Sequence, residues 1–332
     1  MKLADLLRTI HDSGEQFDPP KEERLSQYQQ VFGDELTTES AAAFVTNGWH
    51  AIGDTYFATI ADRIAAANPD HADVWTNLTT LAVNSDEEKT SVHASDNENV
   101  ILVDSQMMLF LWTMNKSHLY GQRLNRGDQL KLICELLLHF ATLRYLRDHN
   151  LVWPRPKTPP HESAEDLQTL YLFTNMQELF MVAHEMAHLV CDQKSEVTSA
   201  FICRGEYPTP YTMLFERDAN IDQELYADEL AVDLVLNTFP RVAEVQQVVL
   251  SAIFLLIRYR LWLGVTASDG DFEFRMWFAR NSLFRAKASS CYCDGAAVFL
   301  IDLLKELEQT LEPAAKHAAK AFAMIVEKSK GS

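Results

Sequence analysis

Residues 184 to 188 read His-Glu-Met-Ala-His. Two histidines at positions i and i+4 of a helix lie about 40° apart around its axis and roughly 6 Å apart along it. Both imidazoles therefore leave one face and can grip a single ion. Zinc takes nitrogen ligands at about 2.0–2.1 Å, which two such rings supply together. Glu185 sits beside the first of them, where it reaches a water at the ion more easily than the ion itself. That is the place of a general base. The flanking residues Phe180, Met181, Val182, Ala183, Met186, Ala187, Leu189 and Val190 make the helix apolar nearly all round, as expected of a core helix. Two histidines and a glutamate are costly there unless something satisfies them, and a metal ion does. Histidines hydrogen-bonded within the core are the competing explanation.

A catalytic zinc usually has three protein ligands and one open position. The metzincin pattern would supply a glycine and a histidine shortly after the second ligand, but Cys191 and Lys194 stand there. Further on the chain reads Glu224-Leu-Tyr-Ala-Asp228, then Glu-Leu-Ala-Val-Asp233. Glu224 and Asp228 share one helix face, and the small Ala227 lets that helix approach another closely. Asp222, Glu229 and Asp233 are alternative ligands. By itself this stretch reads as a solvated acidic helix face, and its pairing with His184 and His188 favours the metal reading.

HEMAH followed by ELYAD resembles the HExxH…ExxxD signature of gluzincin metallopeptidases, in the ExxAD form of CAAX-prenyl-type and related endopeptidases. The resemblance spans roughly residues 96 to 290, and its two short motifs are the specific part. It implies a zincin-like core, with Glu224 as third zinc ligand and Asp228 accepting a hydrogen bond from His184. It also implies hydrolysis of a peptide bond, with Glu185 as catalytic base and Tyr226, Tyr259 or His161 as the oxyanion donor. The chain departs from the CAAX-type pattern in lacking clear membrane spans and a histidine-proline-proline segment. FRMWFARNSLFR occupies that region, and its arginines are the replacements at hand. The resulting expectation is a zinc-dependent endopeptidase acting on a specific intracellular protein. A second expectation is a non-catalytic or latent zincin-fold sensor of a stress or phage response, which binds a protein partner. A third is a structural zinc closed by Cys191 or Cys203.

The elements that must position these residues read as helices for the most part. The expected fold is predominantly α, within the α+β class: a helical zincin-like metallopeptidase core with a small sheet over residues 96–332, and a helical region of unknown role over residues 1–95. Residues 40 to 67 place Trp49, Ile52, Tyr56, Ile60 and Ile64 on one helix face, which stops near Asn68-Pro69. Residues 82 to 99 are polar and charged and read as a loop or boundary. Val100 to Val103 is the clearest strand, with Asp104 or Ser105 capping a helix after it. Residues 129 to 147 read as a helix capped by Asp128. Prolines 154, 156, 159 and 160 forbid regular structure in the following loop. Thr174 and Gln177 match a capping box for the His184 helix, with an earlier start near Asp166 as the alternative. Further helices fit 222 to 236, 243 to 263, 294 to 309 and 314 to 328.

The formal net charge is −18, from 47 acidic and 29 basic residues. Nucleic-acid binding is not expected of so acidic a chain, because phosphate affinity comes from Lys and Arg. The N-terminus lacks the apolar run of a secretory signal. Val248 to Val265 is strongly apolar, but Arg258 and Arg260 inside it favour a buried helix over a membrane span. Five cysteines at irregular spacing fit reduced thiols in a cytoplasmic protein. Zinc is the expected cofactor and a protein or peptide the expected substrate; the oligomeric state is not legible.

Overall fold

The structure, a computed structural model, describes residues 2–11, 21–32, 38–83, 90–95, 97–121, 123–145, 157, 164–192, 219–267, 280 and 312–330. Helices α1 (Leu3–His11), α2 (Lys21–Phe32), α3 (Thr38–Asn47) and α4 (Trp49–Ala67) lead into strands β1 (Leu78–Val83), β2 (Thr90–Ala94) and β3 (Asn99–Asp104). Helices α5 (Ser105–Gly121), α6 (Arg126–Tyr145), α7 (Ala164–Asp192), α8 (Ala219–Asn237), α9 (Ala243–Ala267) and α10 (Glu312–Lys330) follow. The described chain is mostly helical with one small sheet, as expected of the α+β class.

β3 is the central strand, parallel to β1 and antiparallel to β2. Val100 and Leu102 point to one face, where Leu7 of α1 covers them together with Leu81 and Val83. Ile101 and Val103 point to the other, into the main core. A strand buried on both faces reads as an unbroken apolar run, which is why Val-Ile-Leu-Val stands out in the sequence. Asp104 ends it and caps α5, its Oδ1 accepting from the Gln106 backbone N–H at 2.7 Å. β2 lies inside the stretch expected to be a loop. Its residues Thr90 to His93 are only half-buried, so the edge strand carries little apolar signal among charged neighbours.

The single helix expected over residues 40 to 67 is two. Gly48 breaks it with φ 77°, a conformation that glycine adopts without steric cost. α4 then packs on β1 at close range: a Cβ on Gly53 would meet the Ala82 Cβ at 2.4 Å. Asn68 terminates α4 and ties it to the far end of α8. Its Nδ2 donates to the carbonyls of Ile64 at 2.8 Å and Leu234 at 3.1 Å, and its Oδ1 accepts from Asn237 Nδ2 at 2.9 Å.

Two expected caps are corrected. Asn125, not Asp128, caps α6: its Oδ1 accepts from the Asp128 backbone N–H at 3.0 Å. α7 begins at Ala164, so Thr174 and Gln177 lie mid-helix. Their side chains meet Asn115 of α5 instead, at 3.0 and 2.7 Å, and Gln177 also donates to the Ala252 carbonyl of α9 at 3.0 Å. These bonds satisfy polar groups buried where three helices meet. The residues 243–266 are long and apolar enough to cross a membrane by length and composition, yet 89% of their apolar window is buried inside the molecule. The expected helix at 294–309 and the proline-rich loop with His161 lie outside the described residues, as do Cys203, Cys291 and Cys293. Cys134 and Cys191 are buried.

Candidate metal centre

α7 carries His184, Glu185 and His188, and α8 carries Glu224 and Asp228. The two helices pack more extensively on each other than any other pair of described elements. Fully buried alanines on both, Ala183 and Ala187 on α7 and Ala227 and Ala231 on α8, permit that close approach. Just before β1, Trp75 donates from Nε1 to the Met186 carbonyl at 3.1 Å, pinning α7 inside the HEMAH turn. Nothing in the motif itself signals Trp75.

His184 Nε2 stands 3.1 Å from His188 Nε2 and 3.1 Å from Glu224 Oε2, and His188 Nε2 stands 3.4 Å from Glu224 Oε1. These three residues can hold a metal ion. With bonds of 2.0–2.1 Å, the edge of a tetrahedron around zinc is about 3.3–3.4 Å. Two of the observed separations, at 3.1 Å, fall a little short of that edge, and the third, at 3.4 Å, runs to the other carboxylate oxygen, so the donor set is of the right kind for zinc and close to its size.

Behind the histidine pair, the fully buried Asp228 faces His184 Nδ1 with Oδ1 at 2.9 Å. With a metal bound, this carboxylate would hold the proton on Nδ1 and leave the Nε2 lone pair for the ion. Arg280 completes the site from beyond α9. Its Nε donates to Asp228 Oδ2 at 2.6 Å, and its Nη2 to Glu224 Oε2 at 2.7 Å. The same Nη2 lies 3.1 Å from His184 Nε2. The sequence offered the arginines of FRMWFARNSLFR as a group, and only the tertiary contacts single out Arg280.

Electrostatics at the cluster favour added positive charge. Burial works to lower the His184 pKa, but Asp228 and Glu224 outweigh it and hold it at about 10. Burial likewise pushes Glu224 up, and His184, His188 and Arg280 overcome this, leaving its carboxyl well below the usual range. Burial raises Glu185, with the nearby histidines opposing.

Of the expected oxyanion donors, His161 lies outside the described residues. Tyr226 is two residues from both Glu224 and Asp228, about 200° around α8 from each, so it leaves a different side of the helix. Tyr259 is buried in α9 with its ring against Trp262, and its hydroxyl has no hydrogen-bond partner among the described residues. Among the described residues, Arg280 is the donor that stands on the ligand atoms. Neither Cys134 nor Cys191 belongs to the ligand cluster. No protein-family model, curated protein or solved structure matches the chain.

Proposed function

We propose that the chain is a zinc-dependent endopeptidase of gluzincin type, with a zincin-like core, that hydrolyses a peptide bond in a specific intracellular protein. The observation that carries this reading is the convergence of His184, His188 and Glu224 within reach of a single ion, with Glu185 beside them. Bound by these three side chains, zinc would supply a Lewis acid that polarises a carbonyl and brings the pKa of a water towards neutrality. Glu185 takes the proton of the attacking water and delivers it to the leaving amine. Its burial keeps the carboxyl proton-hungry, as a general base requires. Asp228 holds His184 in the tautomer that presents Nε2.

The test combines composition and turnover. Mass spectrometry of the purified chain should find about one zinc, lost in His188→Ala and in Glu224→Ala. Incubated with a peptide library, the parent should generate new termini that Glu185→Gln does not. Zinc at full occupancy with no cleavage of peptides or of a cell lysate would favour a zincin-fold binding module instead. Absence of zinc uptake would end both readings.

A further inference from the structure

The inference rests on the metal reading above and concerns a residue that neither short motif contains. Arg280 touches two of the three ligand atoms through one nitrogen: Nη2 is 2.7 Å from Glu224 Oε2 and 3.1 Å from His184 Nε2. It therefore stands beside both atoms. An anion bound to a metal held by them would also neighbour those two atoms. The guanidinium is buried and held at its other end by the Nε bond to Asp228 at 2.6 Å. It is thus an oriented donor with fixed charge in a water-poor setting, and such donors act strongly on developing anions.

We infer that Arg280 and the metal position together form a two-point anion subsite, which receives the negative oxygen formed during hydrolysis. When the attacking water oxygen bonds to the carbonyl carbon, the carbonyl π pair moves to its oxygen. Glu185 accepts the water proton, and Arg280 donates a hydrogen bond to the new oxyanion. When the tetrahedral intermediate collapses, the oxyanion pair re-forms the carbonyl, the C–N bonding pair leaves on nitrogen, and the proton passes from Glu185 to that nitrogen. Arg280 keeps its own protons throughout. It thereby takes the role for which the resemblance offered Tyr226, Tyr259 and His161 as candidates.

The probe is inorganic phosphate, a tetrahedral oxyanion, titrated calorimetrically into the zinc-loaded chain. The parent should bind one phosphate, and Arg280→Gln should bind it about tenfold to a hundredfold more weakly while retaining zinc. Arg280→Lys keeps the charge and a donor to Asp228 but loses the fork, and should weaken phosphate binding by a smaller factor. This second variant serves if the glutamine leaves Asp228 too poorly paired to fold. In peptide cleavage both substitutions should lower kcat with little change in KM. Equal phosphate affinity in the parent and the folded variants overturns the inference, as does a parent that holds zinc but no phosphate. Loss of zinc in both Arg280 variants also overturns it and makes Arg280 a support for the ligands only. A parent without zinc is a different failure, that of the metal reading itself, and shows before any variant is made.

Discussion

Asp228 presents one carboxylate oxygen to His184 Nδ1 at 2.9 Å, on the side of the imidazole away from Glu224. A ligand histidine anchored in this way keeps its ring orientation and tautomer, and removal of such an anchor typically costs about 10- to 100-fold in metal affinity. Asp228→Asn should therefore weaken zinc binding by about that factor, measured by competition with a chromophoric chelator. Unchanged affinity would leave Asp228 without a role at the site.

Chelation should lower stability as well as remove metal. An ion that binds only the folded chain adds about 2.7 kcal/mol at a free concentration 100 times its Kd. Thermal melts with and without EDTA should differ in the parent and coincide in His188→Ala. An equal zinc increment in both proteins would place the ion somewhere other than this cluster.

Glu178 predicts a pH dependence that does not involve the metal cluster. It is buried in α7, two turns before Glu185, and accepts from the Tyr56 hydroxyl of α4, which in turn accepts from Asn175 Nδ2 at 2.9 Å. Burial raises its pKa from 4.5 to about 7. The folded pKa lies above the unfolded one, so the stability contribution is fully present below pH 4.5 and is lost as pH rises through about 7. The full loss is about 3 kcal/mol. Urea melts from pH 4 to 8 should show this slope in the parent and not in Glu178→Gln, which has no titrating proton. Identical profiles would refute the assignment.

Packing of α4 on β1 gives a structural prediction. A methyl group at Gly53 meets Ala82 Cβ at 2.4 Å, and backbone or strand must shift to admit it. Gly53→Ala should cost about 1–3 kcal/mol by overpacking. Ala82→Gly in the same chain removes the opposing carbon and should return much of that loss, so the pair should be non-additive in a double-mutant cycle. Simple additivity would mean that the two residues do not meet.

The chemistry of α7 and α8 was legible because it is local. His184 with His188, and Glu224 with Asp228, are i, i+4 pairs, and a helix alone fixes which side chains share a face. That the two pairs face each other required the fold. Arg280 was not legible as an individual, since nothing in FRMWFARNSLFR distinguishes it from Arg275 or Arg285. β3 announced itself because both its faces are covered. β2 did not, because a half-buried edge strand need not be apolar. Thr174 and Gln177 misled for a physical reason: the residues that would cap a helix end equally well satisfy a buried asparagine on a neighbour.

The order of strands governs what a cut in this chain would do. β3 begins at Asn99, and both its partners, β1 and β2, precede residue 95. A fragment starting at residue 96 would carry the central strand alone, with two rows of open backbone donors and acceptors and with Val100 to Val103 stripped of cover on one face. Such a strand is a template for self-association. Expressed without its first 95 residues, the chain that bears HEMAH and ELYAD should be recovered as aggregate, so the N-terminal segment acts as an intramolecular safeguard of solubility.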